Sequence, residues 1–337
     1  MTPPSSIRPG SAVNPYYFTG ILLTMLSVYI VFSETEHIQL DPSTTSNATT
    51  SVPRLNSEIS QEDIISDILE DPKTLPQASN ETLVLYDKYS ISDELKVRLF
   101  EIFDIFQELC DEANATWSLA WGTLVGSYRH HDMTPWDDDL DVFMALKDKD
   151  NFTAAFNKLN NSNLVLDNYN PWSKFFFKDG IKRPKWWASP APWIDITYWS
   201  ENDTHIWGDN YLRKEKRWTR NFCVDKHTVF PLVKRPFRGR MCPAPRDVRK
   251  FIYGLYTYIW KPRFEVDDCG TDSYSHMDLK KKRPKDIASL PCAALIKHFP
   301  FVIHIRGPGG AWCKELLTFG GKILGTFVRS AIDISVC

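Results

Sequence analysis

Four aspartates, Asp137, Asp138, Asp139 and Asp141, fall within five residues of the stretch WGTLVGSYRHHDMTPWDDDLDVFM, Trp121 to Met144. Charge this dense repels itself, and strands are depleted in Asp. Yet the run passes directly into the apolar Val142, Phe143 and Met144. On a strand alternate side chains share a face, which sets Asp139 and Asp141 about 6–7 Å apart at Cα level. Two anionic groups on one face are costly unless a cation neutralises them. Mg2+ or Mn2+ is the expected ion, because hard divalent cations take oxygen ligands and keep positions open for phosphate. Upstream, Gly122-Thr123 with Gly126 following supplies the other half of a metal–phosphate site. Glycine lets backbone N–H groups approach an anion, and a helix start behind it favours phosphate. Thr123 adds a hydroxyl, and Arg129 could neutralise a further phosphate oxygen. A third carboxylate, Asp195, stands between Ile194 and Ile196. If its strand neighbours the first, Asp195 completes a three-acid site as metal ligand or general base.

Other readings of the acidic run are open. A charge run is usually a solvated loop. An EF-hand loop would use Asp137, Asp139 and Asp141 at positions one, three and five, but it needs Gly where Val142 stands and Glu where Asp148 stands. A D-x-D sugar-nucleotide glycosyltransferase is the stronger rival, although only one helix and one short strand precede the motif here.

The elements that must position these groups can be read from periodicity. Ser92 caps a helix with Asp93 and Glu94 in its first turn, and Leu95, Leu99, Ile102, Phe103, Phe106 and Leu109 recur on one face. Strands are expected at Thr116–Trp121, Asp139–Met144 and Trp193–Trp199, with a helix over Asn151–Leu159 between the last two. This order indicates a small α/β domain. Arg246–Tyr258 reads as an amphipathic helix, and Gly320-Gly321 as the turn of a hairpin.

The 337-residue chain is 43% hydrophobic and nearly neutral, with 40 basic against 42 acidic side chains. That balance argues against nucleic acid as a partner. From Tyr16 to Phe32 runs a 17-residue apolar segment, preceded by Arg8 and followed by Glu34 and Glu36. Its length and flanks predict a signal anchor over 16–33, with residues 1–15 in the cytosol and the rest luminal. Residues 34–90, rich in Ser, Thr, Pro and Asn, read as a disordered stem. The catalytic domain is expected over 91–285, with 286–337 as a C-terminal extension. Sequons at Asn47, Asn80, Asn114, Asn151, Asn160 and Asn202 agree with a secretory address. There the seven cysteines could form disulfides, the odd count leaving one unpaired.

The pattern GTLVGSYRHHDMTPWDDDLDV resembles the LicD/fukutin family, a branch of the nucleotidyltransferase fold. Asp139 and Asp141 match that fold's metal pair, Asp195 in WIDIT its later acid, and Gly122-Thr123 its glycine motif. PWDDD, Pro135 to Asp139, is the most specific mark. A second block, VFPLVKRPFRGRMCPAPRDVRKFIYGLY, extends the resemblance over about residues 92 to 265. The resemblance implies an α/β (α+β) fold, a small mixed sheet flanked by helices. It also implies a phosphotransferase for substituted phosphate groups that moves a phospho-alcohol, of ribitol phosphate or phosphocholine type, from a CDP-alcohol donor to a glycan acceptor. Mg2+ (or Mn2+) on Asp139, Asp141 and Asp195 would serve the diphosphate, Gly122, Thr123, Gly126 and Arg129 would bind substrate, and Asp137 and Asp138 would support from behind. With anchor and stem, the chain reads as a Golgi (or ER) type II membrane protein. A non-catalytic luminal member of the same fold is the alternative. Lys174, Lys178, Lys182 and Arg183 could contact nucleotide or an anionic acceptor, or form a solvated loop. His130 and His131 are given no catalytic part. Trp172, Trp186, Trp187 and Trp193 could stack on sugars or pack in the core.

Overall fold

A computed structural model describes residues 78–168, 172–181, 189–208, 223–259, 269, 292–307 and 312–330. All belong to one unit spanning Ile59–Cys337. The expected tail, the anchor over 16–33, most of the stem, Asn47, Lys182, Arg183, Trp186 and Trp187 lie outside the described residues. Among those described, no helix is long and apolar enough to cross a membrane.

The first element among the described residues is helix α1, Asn80–Tyr89, capped by the Ser79 hydroxyl accepting from the Thr82 amide at 3.2 Å. It occupies the last part of the stretch whose composition reads as stem. That composition is set by the Ser- and Thr-rich residues further upstream, whereas here Tyr86 is fully buried, edge-on to Trp136 with centroids 4.7 Å apart. Helix α2, Asp93–Glu112, is capped by Ser92 and buries Leu95, Leu99, Phe100, Ile102, Phe103, Phe106, Leu109 and Cys110. Phe103 and Phe106 meet Trp117 edge to face, so this helix carries the aromatic floor of the core.

Strand β1 is only Trp117–Leu119, because Trp121 already opens helix α3, Trp121–His130. Strand β2, Leu140–Ala145, follows, then helix α4, Lys149–Leu159. Strands β3 (Leu164–Asn168), β4 (Trp172–Ile181), β5 (Ala191–Glu201), β6 (His205–Gly208) and β7 (Cys223–Asp225) complete a seven-stranded mixed sheet. Its main path runs β1-β2-β5-β4-β3. Strands β2 and β5 pair in parallel, and their near-continuous apolar sequences suit strands buried on both faces. The fold is mixed α/β, with the sheet flanked by helices.

A short helix α5 (Lys226–Val229), a hairpin of β8 (Val233–Phe237) and β9 (Arg240–Ala244), and helix α6 (Val248–Ile259) come next. The last elements, β10 (Phe301–Arg306), β11 (Trp312–Phe319) and β12 (Lys322–Ser330), form a separate antiparallel sheet. Gly320 and Gly321 turn β11 into β12 with φ of 57° and 81°, values that demand glycine.

This second sheet is tied to α3 by buried charge. Arg235, fully buried, grips Glu315 through two bonds of 2.8 and 2.9 Å and donates to the Ser127 carbonyl at 3.3 Å. His131 meets the same Glu315 at 2.8 Å, and His304 stacks on Tyr128. Burial alone would raise the Glu315 carboxyl, but the charge of Arg235 and the bond to His131 hold it well below its ordinary range. Among the cysteines, Cys269 bonds Cys292, Cys313 is also in a disulfide, and Cys110, Cys223 and Cys242 are free thiols, two more than the odd count requires.

Candidate active site

Two acids of the run, Asp137 and Asp141, lie against the amide end of α3. Ala120 leaves β1 extended, and Trp121 then takes φ of 43°, a left-handed conformation that only a tight turn imposes on a bulky side chain. The turn brings three successive groups onto one strand residue. The Ala120 amide donates to the Asp141 carbonyl at 3.2 Å, the Gly122 amide donates to Asp141 Oδ2 at 3.2 Å, and the Asp141 amide donates to Thr123 Oγ1 at 2.6 Å. The glycine motif and the strand acid are one hydrogen-bonded unit.

Gly122 packs directly against two carboxylates. A Cβ there would stand 2.4 Å from Asp137 Oδ2 and 3.4 Å from Asp141 Oδ2. Asp137 thus faces the helix start, and its carboxylate gathers with those of Asp138 and Asp139, the oxygens all within 4.8 Å of one another. Asp138 is fully buried and Asp139 nearly so. Asp141 is directly opposite Asp195 in the parallel register of β2 and β5, and Lys174 is opposite Asp195 in the antiparallel register of β4 and β5. Lys174 Nζ donates to both oxygens of Asp195 at 2.6 and 2.9 Å, and Trp193 Nε1 donates to Oδ2 at 3.1 Å.

The remaining residues singled out from sequence take other places. Thr123, buried, spends its hydroxyl on the strand. A Cβ on Gly126 would meet the backbone of Asp132, Met133 and Thr134 at 2.6–2.9 Å, so this glycine lets the loop pass tightly against α3. Arg129 is buried in the last turn of α3, seven residues beyond Gly122 and about 10 Å along the axis. His130 is held by the Pro300 carbonyl at 2.7 Å and pushed down to about 3 by burial, the state of a structural histidine. Trp193 is core and site wall together, and Trp172 is half-buried. Lys178 points out to the Ser162 carbonyl. The sequon residues Asn80, Asn114, Asn151, Asn160 and Asn202 are all exposed.

The donor set fits a hard divalent cation. Burial, and then the charges of Asp139 and Asp195, push the Asp141 carboxyl well above its ordinary range, a repulsion that a bound cation would relieve. The other grouping of potential ligands, His304, Cys313 and Glu315, does not fit one, since Cys313 is disulfide-bonded and Arg235 engages both oxygens of Glu315.

The site is thus a glycine-started helix packed on a strand acid, with a partner acid on the next parallel strand. Residues 114–247 match the family described as LicD/FKTN/FKRP, nucleotidyltransferase domain. The lipopolysaccharide cholinephosphotransferase LicD of Haemophilus influenzae is 43% identical over 51 residues, 15% of this chain and 19% of that protein. The ribitol 5-phosphate transferase FKRP of Mus musculus is 25% identical over 150 residues, 42% of this chain and 28% of that protein. The matches thus span less than a third of the length of these relatives.

Proposed function

We propose that the chain transfers a phospho-alcohol from a CDP-activated donor to a hydroxyl of a glycan. The observation that carries this reading is the Gly122–Asp141–Asp195 arrangement inside a segment of LicD/FKTN/FKRP type. The two relatives, a cholinephosphotransferase and a ribitol 5-phosphate transferase, support a phospho-alcohol as the cargo. Asp139, Asp141 and Asp195 would hold Mg2+ or Mn2+, which when bound supplies positive charge against the donor's diphosphate and the leaving phosphate. In the reaction the acceptor oxygen attacks the phosphorus that carries the alcohol. The P–O bond to CMP breaks, CMP leaves with the bonding pair, and the hydroxyl proton passes to water. Gly122 lets the carboxylates of Asp137 and Asp141 close on the start of α3, and Thr123 fixes the strand that carries Asp141. A Golgi or ER type II topology, anchored through residues 16–33, is the setting we propose; the exposed sequons support a luminal domain.

The test is incubation of the full-length protein and Mg2+ with CDP-ribitol, CDP-choline and a set of UDP-sugars. CMP release from a CDP-alcohol, abolished in D141A, is the expected result. UDP release from a sugar nucleotide, or no turnover with any donor, overturns the reading.

A further inference from the structure

Asp141, Asp195 and Lys174 occupy directly opposed positions on three neighbouring strands, β2, β5 and β4. Directly opposed residues share a face of the sheet, so the three side chains form one row: acid, acid, ammonium. Lys174 Nζ engages both oxygens of Asp195, and Trp193 Nε1 takes the remaining approach to Oδ2. Held this way, Asp195 meets an ammonium charge where a metal would approach, so metal and lysine compete for the same carboxylate. The lysine is not a surface partner of convenience, for its side chain is 11% exposed and that of Asp195 22%. The ammonium also lies 4.3 Å from the centre of the Trp193 ring, so a second resting place for the cation adjoins the first. A lysine is a compact charge on a flexible four-carbon stem, suited to changing partners and to binding phosphate as a point charge.

We propose that Lys174 is the exchangeable cation of this site, seated on Asp195 until a divalent metal claims that carboxylate and then donating to the phosphates of the donor. The proposal rests on the reading of the site as one that takes a nucleoside diphosphate donor. It gives one residue two opposite effects. Lys174 competes with metal in the absence of nucleotide and assists anion binding in its presence. A lysine serving only to brace the sheet would do neither.

The test measures Mn2+ binding by electron paramagnetic resonance without nucleotide, and CDP binding by equilibrium dialysis at saturating Mn2+, on the full-length protein. K174M is expected to bind Mn2+ more tightly by about fivefold or more, the lower end of usual couplings between two ligands of one site. The same variant is expected to bind CDP more weakly, while K174R, whose planar fork holds both oxygens of Asp195, is expected to bind Mn2+ no more tightly than wild type. In a D195N background, K174M should no longer change Mn2+ affinity, because the contested carboxylate is gone. Unchanged or weaker Mn2+ binding in K174M overturns the proposal, as does unchanged CDP binding. Wild-type protein that binds Mn2+ but not CDP would sink the donor reading instead, and the Mn2+ comparison would still report on Lys174.

Discussion

Asp141 and Asp195 face each other across the parallel pair β2 and β5, and the Gly122 amide donates to one oxygen of Asp141 at 3.2 Å. Without a cation this geometry concentrates repulsion on Asp141, whose carboxyl is pushed up by burial and by its two acidic neighbours. Function and stability therefore pull in opposite directions at this residue. D141N keeps the shape and can still accept from Gly122, so in metal-free buffer it is expected to melt about 2–4 °C above wild type. The same variant should lose Mn2+ binding and turnover. D195N gains nothing comparable, because it leaves the Lys174 ammonium without its carboxylate. Thermal melts of the two variants with and without Mn2+ check this; a D141N protein less stable than wild type would sink the argument.

Two glycines of one helix should respond differently to alanine. In G122A the new methyl meets the end of the Asp137 side chain, which can swing aside, so the expected loss is in donor binding and rate. In G126A it meets the backbone of residues 132–134, which cannot move without shifting the whole acidic loop. Overpacking of that kind costs about 1–3 kcal/mol. Urea titrations should show G126A as the less stable protein, and assays should show G122A as an inactive protein of near-normal stability.

Asp141 and Asp195 were legible as strand acids between apolar neighbours before any pairing is known, whereas Asp139, expected on the same strand as Asp141, lies in the bend before β2 and gathers with Asp137 and Asp138. The partners of these acids were not legible. Lys174 lies in a run of basic and aromatic residues, and only the register of β4 on β5 shows that it faces Asp195 rather than solvent. Thr123, Gly126 and Arg129 have residue types that suit phosphate, but helix α3 turns all three inward, and the phase of a short helix is fixed by what it packs against. Tyr86 shows the same limit, since one buried aromatic makes a helix of a segment whose average composition reads as stem. Nothing local joins Arg235 to Glu315, eighty residues apart, so the tie between the second sheet and α3 had no signal in the sequence.

Acid should loosen that tie in two steps. His130 and His304 are held neutral by burial, lowered from 6.5 to about 3 and about 4. Between those values and 6.5 the unfolded chain binds the extra protons, so stability falls as pH falls from about 6.5. At pH 5 each buried histidine costs about 2 kcal/mol relative to neutral pH. Glu315 acts later. Its folded value lies below its unfolded 4.5, so the stability it contributes is present above 4.5 and is lost as pH drops through the folded value. Melting temperature followed from pH 7 to pH 5 should fall, and H304Q, whose amide can still donate to the Tyr128 carbonyl, should flatten the slope. A melting temperature independent of pH across this range would contradict the burial of both rings.

The Arg235–Glu315 pair should matter more when broken than when replaced. Removing one member of a buried pair strands the other charge and costs about 3–5 kcal/mol. E315Q leaves Arg235 its bonds to Ser127 and one amide oxygen but no balancing charge, and R235M leaves Glu315 facing His131, His304 and Arg329. R235M/E315L removes both charges at similar volume, so its loss should be well below the sum of the two single losses. Because Arg235 bonds the Ser127 hydroxyl and carbonyl, and Ser127 lies on the helix that presents Gly122, each single variant should also lower turnover at temperatures where it remains folded. Urea denaturation of the double-mutant cycle, with kcat measured well below each midpoint, separates the two effects. Additive stability losses would show that the pair contributes no coupling, and unchanged kcat in folded E315Q would show that the second sheet does not position α3.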